Sequence, residues 1–222
     1  MVTLESRPLP EPTLRRLPRY LQLARSLTPA RPVVSSAYIG ERLGLDAVQV
    51  RKDLQCAGLV GRPKIGFEVP KMVGTLESLL GWNNVRQAFL VGAGSLGSAL
   101  LGHGRFKEAG FEIVAAFDTD PKKVGTELHG KPVLPVEKLS SLIRRMHILV
   151  GVVAVPAPAA QHVADLMCAA GIRALWNFAP VRLAVPEDVI VQDEDLLAGL
   201  ATLTQKLAAR LHEGTARLQK GK

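Results

Sequence analysis

Apolar residues recur at helical spacing from Thr13 onward, with Leu14, Leu17, Leu21 and Ala24 on one face. Pro18 interrupts that face and predicts a kink or a later helix start. The segment closes at Thr28-Pro29-Ala30-Arg31-Pro32. In Val33-Val34-Ser35-Ser36 a serine is placed to cap a short helix, Ala37 to Leu43, which Gly44 can end in a left-handed turn. Asp46 caps a third helix, Ala47 to about Cys56, and Gln49 three residues on completes a box-like start. Helix, glycine turn and helix at this spacing form a helix-turn-helix pattern. Two β-prone runs between Leu59 and Val69 flank Gly61-Arg62-Pro63-Lys64 and predict a hairpin with a basic tip. Three helices and such a hairpin predict a winged-helix domain over residues 1–80. Pro70 opens a further helix to Leu80, and Gly81-Trp82-Asn83-Asn84 reads as a linker.

From Gln87 the pattern changes. Ala88-Phe89-Leu90-Val91 is a fully apolar strand, and a glycine-rich turn and an apolar helix toward Gly110 follow it. Phe111–Asp118, His147–Val155 and Ala174–Phe178 are further strands, separated by helical stretches at 136–146 and 158–170. Apolar strands alternating with helices predict a parallel sheet covered on both faces, a Rossmann-type α/β domain over 85–192. Leu196, Leu200, Leu203, Leu207, Leu211 and Leu218 then make one stripe on a long C-terminal helix within 193–222. That stripe suits a dimer arm or a membrane-surface helix. Its lack of Trp and Phe argues against the membrane.

Composition narrows the class. The chain has 222 residues, 47% of them hydrophobic, enough to fill a core, and only two cysteines, Cys56 and Cys168, so a disulfide scaffold is excluded. Met1–Leu14 carries Glu5, Arg7, Pro8, Pro10, Glu11 and Pro12, unlike a signal peptide or a membrane span. A soluble cytoplasmic protein is expected. Charge is uneven. Residues 1–80 hold 12 Lys and Arg against 7 Asp and Glu, residues 81–200 hold 11 against 12, and residues 201–222 hold 5 against 1. Basic ends around a near-neutral middle suit a protein whose N-terminal part meets a polyanion.

The sharpest local signal is Gly92-Ala93-Gly94-Ser95-Leu96-Gly97, between a strand and a helix, with Asp118 closing the next strand. This is the dinucleotide fingerprint. Its glycines serve a tight turn, close approach to a pyrophosphate, and helix–strand packing. Asp118 would accept from the adenosine ribose and repel a 2′-phosphate, favouring NAD(H), although Lys122 and Lys123 lie close in sequence. Val155-Pro156 and Asn177-Phe178-Ala179 fall at C-terminal strand ends, where the nicotinamide should sit. None of the five histidines falls in a recognisable catalytic pair, and no metal-ligand spacing stands out.

In the third helix, Gln49, Arg51 and Lys52 occupy the half that reaches base edges in a recognition helix, where Arg and Lys pair with guanine and Gln with adenine. Arg62 and Lys64 at the hairpin tip would contact phosphates or the minor groove. Arg15, Arg16 and Arg19 would face the DNA backbone or the second domain.

Five blocks carry a family likeness: Thr13–Leu21, Asp46–Leu54, Gly92–Gly97, Ala115–Asp118 and Asn177–Leu183. With them the chain resembles the Rex family of redox-sensing transcriptional repressors. The resemblance implies a homodimer whose C-terminal helix is exchanged between subunits, wedged between the partner's two domains. It also implies operator DNA binding permitted by NAD⁺ and released by NADH. After Leu54 the family usually has an aromatic pair and then Gly-x-Phe-Gly, whereas Gln55–Gly61 here contains no aromatic. The family's switch joins a tyrosine, standing where His103 is, to residues like Arg16 and Asp195. His103 could bond Asp195 and would then bring pH sensitivity. The expectation is therefore an NAD(H)-responsive, homodimeric repressor without catalysis. The alternatives are a small NAD-dependent oxidoreductase and a CoA- or nucleotide-binding regulatory module.

Overall fold

A computed structural model of the chain describes residues 9–81 and 86–220, the side chains of Leu196 and of residues 212–220 excepted. The chain folds as two compact units, Met1–Val85 with Glu108–Gly110, and Arg86–Lys107 with Phe111–Lys222.

The first unit is built on four helices, α1 (Glu11–Leu27), α2 (Ser36–Leu43), α3 (Ala47–Cys56) and α4 (Val69–Leu80). Helix α1 begins before Thr13 and runs on through Pro18, contrary to the expected late start. The ring forgoes one i→i−4 bond, but Leu17, Tyr20, Leu21 and Ala24 are all buried around it, so packing holds the helix together. Ser35 accepts from the Tyr38 N–H to start α2, and Gly44 ends it at φ 66°. Asp46 accepts from the N–H groups of Val48 and Gln49 at the start of α3. The reciprocal half of a capping box does not form, because the Gln49 side chain reaches Asp53 instead. Ile39, Val50, Leu54, Met72 and Leu76 complete the core.

The expected two-stranded hairpin between Leu59 and Val69 is also corrected. A single bridge joins Arg62 to Gly66, around a turn where Lys64 has φ 64°. Strand β2 (Phe67–Glu68) pairs antiparallel with β1 (Val33–Val34), a pairing the sequence pattern does not signal. Burial explains the choice: Phe67 is 5% exposed and packs in the core, whereas Val60 on the other arm is 82% exposed. The first arm is anchored at its root by the buried Leu59, and its next residue turns out to solvent. Of the predicted linker, Gly81 caps α4 at φ 70°, and Trp82, Asn83 and Asn84 lie outside the described residues.

The second unit holds a sheet of seven strands: β3 (Arg86–Val91), β4 (Phe111–Asp118), β5 (Glu127–Leu128), β6 (Lys131–Pro135), β7 (Val150–Val153), β8 (Ala174–Asn177) and β9 (Ile190–Asp193). Their order is β5-β6-β4-β3-β7-β8-β9, all neighbours parallel except β5 with β6. Alternation along β3 sorts the two faces. Phe89 and Val91 join the core under α7 (Leu139–Met146) and α8 (Ala157–Ala170), while Ala88 and Leu90 join the core under α5 (Ser95–Leu101). The helix expected to reach Gly110 stops at Leu101, and a separate turn, α6 (Arg105–Glu108), follows a glycine-flanked break at Gly102–Gly104. Of His147–Val155 only Val150–Val153 pairs as strand. Strands β5, β6 and β9 are additions, short and weakly apolar. Helix α9 (Leu196–Lys220) ends the chain.

The tightest point of this unit is Gly97. A Cβ there would collide with the Gly92 carbonyl and stand 3.1 Å from Leu90 Cδ2. Gly97→Ala is expected to destabilise the unit by about 2–3 kcal/mol, measurable as a fall in the chemical-denaturation midpoint.

Candidate functional site

The first candidate site lies where β3 turns into α5. The Gly92 N–H donates to the Phe117 carbonyl at 2.8 Å, and its φ of 103° excludes most side chains. A Cβ on Gly92 would collide with the Ala154 carbonyl. Gly94 differs: a Cβ added there meets nothing within 4 Å, so this backbone is open to whatever approaches it. Turn, open approach and helix packing thus fall on the three glycines as a dinucleotide loop requires. Asp118, at the end of β4, accepts from the Ala93 N–H at 2.8 Å, from the Asp120 N–H at 2.9 Å and from Lys123 Nζ at 3.1 Å. Burial pushes this carboxyl up, but the Asp120 N–H, Lys123 and the Ala93 N–H outweigh it and hold it below its ordinary value. The acid therefore both braces the glycine loop and carries a lysine partner, while Lys122 is exposed beside it.

The expected nicotinamide end is built at the C-terminal edge of β7 and β8. Pro156 precedes α8 directly after Val155. Asn177 is buried and fully engaged: Nδ2 donates to the Val181 carbonyl and to Asp193, and Oδ1 accepts from the Ala179 N–H. Asn177 thus shapes the loop that carries Phe178 and Ala179, and Phe178 packs on Trp176 with ring centroids 4.8 Å apart.

The second candidate site is α3. Its outward face presents Val48, Arg51, Lys52 and Gln55, all exposed. A cleft of about 570 Å³ runs between the start of α2, α3 and the Arg62–Gly66 turn, lined among others by Ser35, Arg51, Gln55, Arg62 and Lys64. Arg62 is paired with Glu68 at 2.8 Å, and Arg15 with Glu11 at 2.7 Å, both on the surface. Arg19 donates to the Leu43 carbonyl.

Beneath α3 lies a residue the sequence reading passed over as a site. Asp53 is 1% exposed and accepts from five donors: Thr13 Oγ1 (3.0 Å), Arg16 Nε (2.6 Å) and Nη2 (2.8 Å), Tyr20 Oη (2.7 Å) and Gln49 Nε2 (2.9 Å). The signal was legible, since Asp53 shares the inward face with Val50, Leu54 and Ala57. Burial raises the Asp53 carboxyl, but hydrogen bonds from Arg16, Tyr20, Gln49 and Thr13 prevail and bring it to about 2. In return, the bond to Asp53 raises the Arg16 guanidinium. Burial, with Asp53 beside it, raises the Tyr20 phenol.

The three expected switch residues each have another partner within this chain. Arg16 is held by Asp53. Asp195 accepts from the N–H groups of Leu197 and Ala198 at the start of α9. His103 stacks on Phe106 at 4.6 Å. Among the described residues no His, Cys, Asp and Glu group is placed to hold a metal, and no helix is long and apolar enough to cross a membrane.

Comparison with known proteins covers both sites. A family model described as "Putative DNA-binding protein N-terminus" matches residues 8–55, and one described as "CoA binding domain" matches residues 83–181. The redox-sensing transcriptional repressor Rex of Treponema denticola is 43% identical over 86% of this chain and 92% of its own length. That of Desulforamulus reducens is 40% identical over 91% and 97%. The chain belongs to the Rex family. The crystal structure of RSP, a Rex-family repressor, matches with a TM-score of 0.83 at 30% identity, over 95% of this chain and 99% of that one. RSP in complex with beta-NAD+ and operator DNA matches at 0.84, 32% identity, 97% and 98%. RSP in complex with beta-NADH matches at 0.82, 31% identity, 93% and 98%. The winged-helix and Rossmann-type architecture is thus that of the Rex fold.

Because the folded pKa of Asp53 lies below its unfolded value, its contribution is complete above pH 4 and is lost as pH falls toward about 2. Asp53→Asn should cost at least about 2 kcal/mol at pH 7. The gap to wild type should narrow on acidification in urea titrations run from pH 7 down to pH 2.

Proposed function

We propose that this chain is an NAD(H)-responsive transcriptional repressor that binds operator DNA through its first unit and releases it when NADH occupies the second. The observation that carries this reading is the presence in one chain of both halves. A glycine loop open at Gly94 and braced by Asp118 accompanies an exposed basic helix, α3, on a buried frame. The Rex relatives span both halves, and RSP is known with beta-NADH, with beta-NAD+ and with operator DNA.

In this reading Gly92, Ala93, Gly94, Ser95, Leu96 and Gly97 hold the pyrophosphate and Asp118 the adenosine ribose. Val155, Pro156, Asn177, Phe178 and Ala179 frame the nicotinamide. The cofactor supplies the signal: its reduced ring is neutral and puckered, whereas the oxidised ring is charged. The chain's part is linkage. NADH releases DNA only as far as it binds the DNA-incompetent state more tightly, typically by about 5–150-fold. Arg51 and Lys52 read bases, Arg62 and Lys64 at the turn contact phosphates or the minor groove, and Arg15 lines the backbone side, Arg16 being held by Asp53. A second copy covers α9, whose Leu200, Leu203 and Leu207 are each more than half exposed along one stripe. Arg16, His103 and Asp195 form the switch. Such a repressor works in the cytoplasm, where the operators are, with the nucleotide as effector rather than redox substrate.

Two measurements check this. Arg51→Ala or Lys52→Ala should each weaken operator binding by about 1–3 kcal/mol in fluorescence anisotropy, while NADH affinity stays as in wild type. NADH should lower operator affinity at concentrations where NAD⁺ and CoA do not; an equal effect of NADH and NAD⁺ removes the sensing role, and tighter binding of CoA than of NADH favours the CoA module.

A further inference from the structure

Gln49 stands in the first turn of α3, exposed, but its amide is not free to choose which end faces outward. Nε2 donates to Asp53 Oδ1 at 2.9 Å. A carboxylate only accepts, so the NH₂ end must face it; the flipped amide would set oxygen against oxygen beside a buried charge. Asp53 cannot turn away to release Gln49, because Thr13, Arg16 and Tyr20 hold both of its oxygens. The amide nitrogen is therefore drawn toward the α1 side, away from the outward face of Val48, Arg51, Lys52 and Gln55. Gln49 Oε1 is left at the surface and takes no hydrogen bond among the described residues. A free glutamine can grip adenine with both ends, oxygen to the N6 amine and nitrogen to N7. One anchored through a single N–H keeps a second N–H, and its oxygen is its one acceptor, turned from the carboxylate.

We propose that Gln49 is a specificity-determining residue that reads, through Oε1, a base bearing an exocyclic amine in the major groove, adenine N6 or cytosine N4, with Asp53 setting the orientation. This rests on the proposed entry of α3 into the major groove.

The test is DNA selection by the full-length protein and by Gln49→Ala, followed by base analogues at the position where the two differ. Wild type should show one position in each half-site where adenine or cytosine is preferred over guanine and thymine by about tenfold, and Gln49→Ala should lose that preference alone. Removing the exocyclic amine, with purine for adenine or 2-pyrimidinone for cytosine, should weaken wild-type binding about as much. A preference for guanine or thymine lost in Gln49→Ala, or no preference lost at all, overturns the inference. If Arg51→Ala and Lys52→Ala are also silent, the failure belongs to reading by α3 itself; if those two weaken binding and Gln49→Ala is silent, it belongs to Gln49.

Discussion

A carboxylate taken out of water must find several donors or give up its charge. Asp53 keeps its charge, and the donors that let it do so come from two helices, Thr13, Arg16 and Tyr20 on α1 and Gln49 on α3. The apolar core beneath them, from Leu17 to Leu76, supplies most of the burial, but apolar contact is indifferent to small rotations of one helix on another. Directional bonds to one buried charge are not. The angle of α3, and with it the outward face that carries Arg51 and Lys52, is thus set by chemistry beneath the helix, and the amide of Gln49 belongs to the same arrangement.

The second unit solves a different problem, how to bring backbone close to a charged ligand without burying unpaired groups. Gly92 and Gly97 leave no side chain where strand, loop and helix crowd together, Gly94 keeps the backbone between them open, and Asp118 takes up the Ala93 N–H that the tight turn would otherwise strand. The Asp118–Lys123 pair at 3.1 Å spreads the acid's charge over the loop that follows β4, tempering the repulsion that the sequence alone assigned to this position.

Two units with separate cores can be coupled only through states in which their ligands are bound unequally. The leucine stripe of α9 is exposed, and an amphipathic helix left with its apolar face in water is costly unless something covers it.

The main helices and the apolar strands, the glycine loop with its distal acid, and the caps at Ser35, Gly44 and Asp46 were legible in the pattern of the chain. Each of these is a local matter of φ, of a side chain a few residues away, or of alternating apolar positions. That pattern misjudged α1 at Pro18 and the arms around Lys64, where tertiary burial overrode local propensity. It gave no sign of β9 or of the β1–β2 pair, whose strands are too short to carry a period. The partners of the polar residues emerged with the packing of the helices. Arg16 and Gln49, read as surface groups awaiting DNA, turn toward Asp53, because a buried charge 37 and 4 residues away, respectively, binds them more strongly than solvent does. A sequence lists donors and acceptors; which of them meet out of water is settled when the helices pack.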